Sequence, residues 1–199
     1  MCILCDNPEI DHNTILLDCS NCKKIASLPP NLPNLKFLVI YGTNISILPE
    51  YPTLEGLYIM NCPIESLPDF PKLKKLNASN SKLLSIPDTY FRLGYLLIDN
   101  TPIQSLPDTL ISVKQISANG CRSLTEISSK LINLEILSIN NTAIEFIPSL
   151  ISLNYIDIGS TNISVLPLNN LKCLRKVFAK GCNLSNPFDI IERGIDSSN

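Results

Sequence analysis

The chain has 199 residues, 45% of them hydrophobic, and a formal net charge of -2, so it is long enough to bury a core and is not expected to be disordered. Its lysines and arginines are scattered, which excludes the basic footprint of a nucleic-acid or anionic-membrane binder. No apolar run approaches the ~18 residues of a membrane span and no secretory signal opens the chain, so the expected setting is the cytoplasm, with the eight cysteines as reduced thiols.

The chain begins with two cysteine pairs. "MCILC" holds Cys2 and Cys5, and "LDCSNC" holds Cys19 and Cys22. Two C-x-x-C pairs are a zinc signature when the loop between them is suitable. Residues 1–13 are the expected N-terminal cap, and a knuckle carrying Cys2 and Cys5 above Cys19 and Cys22 would bind zinc tetrahedrally while sealing the core. His12 is a substitute ligand in that reading, although a histidine in a polar "DHN" turn is more often simply solvated. The competing reading needs no metal and depends on how the rest of the chain uses cysteine.

From residue 14 the sequence is periodic. "LKFLVIYGTNISILP" (35–49), "LEGLYIMNCPIESLP" (54–68), "LKKLNASNSKLLSIP" (73–87), "LEILSINNTAIEFIP" (134–148) and "LNYIDIGSTNISVLP" (153–167) superpose without a gap. The ninth position runs Cys22, Thr43, Cys62, Ser81, Thr101, Cys121, Thr142, Thr161, Cys182, which gives nine copies of 19–21 residues over 14–184. In each, L-x-x-L-x-I predicts a short strand whose fourth and sixth residues point inward. Leu or Ile at positions one, four, six, eleven and fourteen then fills a continuous core, and the proline after it starts the return path. So few residues per copy leave no room for a full helix on the return, where extended or 3₁₀ segments are expected.

The pattern L-x-x-L-x-I-x-x-T/C/S-x-I-x-x-L-P resembles the leucine-rich repeat family over some nine-tenths of the chain. The trailing Leu-Pro and the short period look most like repeats of bacterial effectors and of plant and viral proteins, including those of large DNA viruses. The resemblance implies a horseshoe-shaped α/β-type solenoid with a concave parallel sheet of about nine strands and a mostly non-helical convex side. The family usually places Asn at the ninth position, so this chain departs from it with Thr, Ser and Cys. There Cys22, Cys62, Cys121 and Cys182 act as small hydrophobes, and Cys19 takes the sixth position that Ala78, Ala118 and Ala179 hold elsewhere, which is the metal-free reading of the second pair. At the other end, 185–199 reads as a C-terminal cap and tail: Asn186 as N-cap, Pro187 opening a short helix, Gly194 stopping it, and Phe188, Ile190, Ile191 and Ile195 covering the last core layer. Residues from Asp196 onward read as a loose tail.

Positions three, five and seven of each strand face outward on the concave side. They bring Phe37, Val39, Tyr41, Tyr58 and Met60 together, with Tyr95 and Leu97 two strands further on and Tyr155 beyond. Contiguous exposed apolar patches usually mark interaction sites, and Tyr, Phe and Met are enriched at interface centres. Asp99, Asp157, Lys176 and Lys180 make a more polar C-terminal half. No phosphate loop or nucleophile elbow appears and the single histidine lies in the cap, so no catalytic residue is expected. The effectors that the repeats resemble carry a separate ubiquitin-ligase domain after them; with the sequence ending at Asn199, that activity is not carried over. The expected function is a non-enzymatic module, a monomer, that binds a protein partner as adaptor or effector in the cytoplasm, its own cell's or a host's. The alternative is a structural protein self-associating through the same face.

Overall fold

The computed structural model describes residues 3–6, 10–192 and 194–198. Its repeats supply nine three-residue strands: β1 (Leu16–Asp18), β2 (Phe37–Val39), β3 (Gly56–Tyr58), β4 (Lys75–Asn77), β5 (Tyr95–Leu97), β6 (Gln115–Ser117), β7 (Ile136–Ser138), β8 (Tyr155–Asp157) and β9 (Lys176–Phe178). Consecutive strands pair in parallel and without slippage, so the fourth-position residues form one row, from Leu17 through Leu38, Leu57 and Leu76 to Val177. That row is buried throughout, as are the first and sixth positions of the central copies and the eleventh, replaced by Leu124 in the copy that carries an extra residue. Each copy covers the apolar face of its neighbour, as a solenoid requires. The return paths among the described residues are extended segments and isolated turns rather than helix.

Each strand ends at a conformational device that the repeat pattern carries but that hydrophobic spacing does not reveal. The eighth position adopts a left-handed backbone in every copy, with φ between 54° and 77°. It is occupied by Asn21, Gly42, Asn61, Asn80, Asn100, Gly120, Asn141, Ser160 and Gly181. Asn and Gly are the residues that tolerate this region at least cost. One residue later, the ninth-position side chains bond the carbonyls that the turn leaves over. Thr101, Thr142 and Thr161 donate to Ile98, Ile139 and Ile158 of their own copies at 2.7–2.9 Å. Cys62, Cys121 and Cys182 reach back to Ile40, Ile98 and Ile158 of the preceding copies at 2.9–3.0 Å. Hydroxyl and thiol thus bond the backbone at the position where the family usually places an asparagine amide.

A further inward row was missing from the sequence pattern. Leu32, Tyr51, Phe70, Tyr90, Leu110, Leu131, Leu150 and Leu171, each three residues before a first position, are all buried. The two tyrosines can lie there because each hydroxyl donates to a proline carbonyl of the previous copy: Tyr51 to Pro29 at 2.8 Å and Tyr90 to Pro68 at 2.7 Å.

Both ends are covered, and the C-terminal one differs from expectation in three respects. A single helical turn, α1 (Ile3–Asp6), stands at the N-terminus, with Leu4 and Ile10 packed against the core. At the C-terminus α2 (Pro187–Glu192) starts at the expected proline, and Gly194 at φ 66° follows it. The amide of Asn186, however, is committed to the repeat, where it accepts from the Leu166 N–H and donates to the Leu166 carbonyl. Ile190 and Ile195 cover the final layer, but Ile191 is 65% exposed; successive residues of so short a helix point about 100° apart, and only one of the two can face the core. The Phe188 side chain lies outside what is described. The tail is not loose: β10 (Asp196–Ser198) pairs in parallel with β9, Asp196 opposite Lys176, and completes a ten-stranded sheet.

Candidate interaction site

The strand alternation turns positions three and five of every strand outward, and the register fixes which side chains meet. Phe37 lies opposite Gly56, and Val39 opposite Tyr58. Gly56 has a specific role: a Cβ there would come within 2.8 Å of the Phe37 ring, so the missing side chain is what lets that ring lie across β3. Phe37 remains 37% exposed and Tyr95 44% exposed, with Val39, Tyr41, Tyr58, Met60 and Leu97 half-buried around them. Tyr41 is held by Asn21, whose amide donates to its hydroxyl at 2.6 Å. Between the two aromatic groups β4 supplies Lys75, whose ammonium stands 5.4 Å from the Tyr95 ring centroid. Seven of the eight expected site residues therefore lie on one stretch of sheet, β2 to β5.

Tyr155 does not join them. It lies on β8, three strands beyond Tyr95, and tilts against Phe178 at 5.4 Å between ring centroids, with the Lys176 ammonium 4.8 Å from the Phe178 ring. Burial pushes the Tyr155 phenol up from its ordinary pKa, and the Asp157 carboxylate adds to this. Phe178 was legible as an outward fifth position but did not enter the expected set, because its nearest aromatic neighbour is one strand away and not adjacent in sequence. Leu16, 58% exposed on β1, was likewise outside it and extends the N-terminal patch.

The middle of the sheet is polar and bonded to itself. Asp99 accepts from the Ser117 hydroxyl and the Asn119 N–H, both at 2.7 Å. Asn119 in turn accepts from the Ser138 hydroxyl, the Asn140 N–H and the Asn140 amide at 2.9–3.0 Å. These groups have spent much of their hydrogen-bonding capacity within the chain, whereas the outward surface of β2 to β5 is largely aromatic and aliphatic, with Tyr41 bonded to Asn21 and Tyr95 beside Lys75. A second exposed apolar row runs along the turns that precede the strands. Phe91, Ile111, Ile132 and Ile151 repeat there in four consecutive copies, about half exposed. An apolar residue two places before each first position was its signal in the sequence.

The remaining reactive side chains are dispersed. His12 is exposed, its Nδ1 3.2 Å from the Asn31 carbonyl. Burial pushes the Cys121 thiol up, away from the thiolate that a nucleophile needs. Cys173 is exposed, in a shallow depression with Glu135, Ser152, Asn154 and Arg175. Of the expected metal ligands, Cys5 and Cys22 come together with Sγ atoms 3.3 Å apart, Cys19 is buried in the first layer, and Cys2 lies outside the described residues.

A parallel sheet of short in-register strands, one per repeat of 19–21 residues, with buried Leu/Ile rows and non-helical returns, decides the architecture. The chain has the leucine-rich repeat fold. Solved structures agree. A leucine-rich repeat protein of Leptospira interrogans superposes with a TM-score of 0.80 at 20% identity, covering 92% of this chain and 54% of that one. The leucine-rich repeat domain of the type III effector XopL gives 0.73 at 18% identity over 98% of this chain and 85% of its own. The functional domain of InlJ from Listeria monocytogenes, which includes a cysteine ladder, gives 0.63 at 15% identity over 85% and 49%. This chain thus spans about half the length of the Leptospira and Listeria chains. No family model matches the sequence, and no curated protein does. Among the described residues no helix is long and apolar enough to cross a membrane.

Proposed function

We propose that this leucine-rich repeat chain is a non-enzymatic interaction module that captures a protein partner, as adaptor or effector, on the concave face of β2 to β5. The observation that carries the reading is the contrast along one sheet: the Phe37, Tyr58 and Tyr95 surface is apolar and open, while the Asp99–Asn119–Asn140 strip is bonded to itself. Apolar and aromatic surface held on a rigid scaffold loses little entropy on binding, and it is the residue composition found at interface centres. The fold neighbours are consistent with this use, and their low identity leaves the partner to be found. Reduced cysteines suit a cytoplasmic site of action.

The test is affinity capture from a cell lysate with the native chain and a Phe37→Ser, Tyr58→Ser, Tyr95→Ser variant, circular dichroism first confirming that both are folded. A protein retained by the native chain and lost by the variant supports the reading. Equal retention overturns it and moves attention to the Phe91–Ile151 row. Self-association through the same face is separated by mass: a species whose molecular mass doubles with concentration in the micromolar range, and no longer does so in the variant, would favour the structural role.

A further inference from the structure

We infer that the rim of the solenoid where the strands begin binds an extended segment of a partner protein, acidic at its ends and apolar in its middle. This surface lies beside the concave patch and does not depend on that patch being a site of capture. Lysine and arginine are scattered along the sequence, but the repeat period gathers them in the fold. The five residues centred on the first position of each of copies two to nine hold nine of the chain's 16 Lys and Arg and only two of its 18 Asp and Glu. One rim is thus strongly basic in a chain whose formal net charge is -2. Of its cations, Lys74, Lys114 and Lys176 are paired with Glu55, Glu135 and Asp196. Lys36, Lys72, Lys75, Arg92, Lys172 and Arg175 form no ion pair among the described residues, and all six are exposed. The hydrogen bond from Lys74 holds the Glu55 carboxyl below its ordinary pKa, and the charges of Lys36 and Lys72 add to this, so three cations crowd one carboxylate.

The cations are not spread evenly along the rim. Lys72, Lys74 and Lys75 stand together in copy four, and Lys172, Arg175 and Lys176 in copy nine. Between the two clusters runs the row of Phe91, Ile111, Ile132 and Ile151, exposed at 46–54%. Past Arg92, the rim charges of this stretch are Lys114 and Glu135, which neutralise each other. A backbone ladder holds the row straight and rigid: the Gly94 N–H bonds the Lys74 carbonyl, and Lys114, Glu135, Asn154 and Arg175 continue it in turn, each at 2.8–2.9 Å. At the ordinary strand spacing these steps set the two clusters about 24 Å apart, the span of about seven residues of extended chain. A segment with carboxylates at both ends and apolar side chains between them matches that arrangement. Its middle would take the exposed Phe and Ile out of water, and its ends would meet cations that have no carboxylate of their own. A nucleic acid carries charge at every phosphate and does not match a rim that is neutral in its middle. A bilayer surface fits less well too, because these half-sheltered side chains lie along the rim, whereas interfacial anchoring sinks apolar groups about 5–10 Å into the membrane.

The experiment is fluorescence anisotropy of a labelled peptide with two aspartates at each end of a Leu-Phe-Leu-Leu middle, titrated with the native chain and with variants shown to be folded by circular dichroism. Two charge-reversed variants share one net charge: Lys72→Glu, Arg92→Glu, Lys172→Glu on the rim, and Lys24→Glu, Lys82→Glu, Arg122→Glu away from it. The native chain should bind the peptide, the rim variant should weaken binding by about a hundredfold, and the off-rim variant by less than about threefold. Ile111→Ser with Ile132→Ser should weaken it by about tenfold. The Phe37→Ser, Tyr58→Ser, Tyr95→Ser variant should bind it as the native chain does, which keeps this site distinct from the concave patch. The inference is overturned if the native chain does not bind the peptide at about 1 mM, if the two charge-reversed variants lose it equally, or if the concave variant abolishes binding. Sedimentation with phosphatidylserine vesicles that is lost in the rim variant, with no binding of the peptide, would overturn it in favour of a membrane surface.

Discussion

Gly120 shows how much of each repeat rests on one backbone angle. It sits at φ 72°, and a Cβ built on it would collide with the Asn100 Oδ1, part of the amide that also donates to Asn80 one copy earlier. Gly120→Ala should cost about 1–3 kcal/mol, the left-handed strain plus displacement of the Asn100 amide. Ser160 is the exception in the same row, at φ 54° without the Asn or Gly of the other copies. Ser160→Gly should raise stability by about 0.5 kcal/mol, the left-handed penalty less the extra freedom of glycine in the unfolded chain. Urea midpoints of the two variants check both signs, and a Gly120→Ala midpoint equal to the native one would sink the account.

At the scale of the element, the turns between strands are tied to the preceding copy by buried side chains, and two of these titrate. Burial pushes the phenols of Tyr51 and Tyr90 well above the ordinary tyrosine value; the charge of Cys19 adds to the first shift and that of Asp69 to the second. The sign follows from linkage. Unfolded tyrosines ionise near pH 10 while the folded ones stay neutral, so their stabilisation is complete below about pH 10 and is lost progressively above it. A Tyr51→Phe, Tyr90→Phe chain should be less stable at pH 7 by about 1–3 kcal/mol per orphaned Pro29 or Pro68 carbonyl. Its melting temperature should nonetheless fall less steeply between about pH 10 and pH 12 than that of the native chain. Parallel slopes for the two chains would contradict the assignment. The same element scale explains β10: the edge of β9 offers unpaired N–H and C=O groups, and Asp196–Ser198 satisfies them in register.

For the whole molecule, the sheet divides into an apolar stretch that is open and a polar stretch that is internally bonded. If binding is the property of the first, Asp99→Ala should lower the melting temperature, since it removes an acceptor used by Ser117 and Asn119, yet leave partner retention unchanged. Loss of retention in Asp99→Ala together with its survival in the Phe37, Tyr58, Tyr95 variant would place the site on the polar strip instead. On the concave face the surface charges offer no competing footprint. Pairs such as Lys74–Glu55 and Lys114–Glu135 lie at 2.8–2.9 Å and link adjacent repeats, and exposed pairs of this kind contribute little beyond local order.

The repeat, its strands and the seven clustered residues of the concave patch were readable from spacing alone, because a side chain that must point inward every turn leaves a periodic mark. Residues such as Leu57 and Phe37 declare their face by their distance from the repeat's first leucine. What spacing could not carry is contact between side chains whose partners sit one copy away by different routes. Tyr51 and Tyr90 stand outside the repeat template, and the proline carbonyls opposite them are what let their hydroxyls be buried. The amide of Asn186 fitted a helix cap in sequence but is claimed by Leu166. The polar tail joined the sheet because an open edge lay within reach, and Tyr155 left the patch because three strands separate it from Tyr95 and one from Phe178. A linear pattern specifies which residues turn inward; which of the remaining groups pair, and which surface stays open, is settled by the lateral stacking that only the folded solenoid supplies.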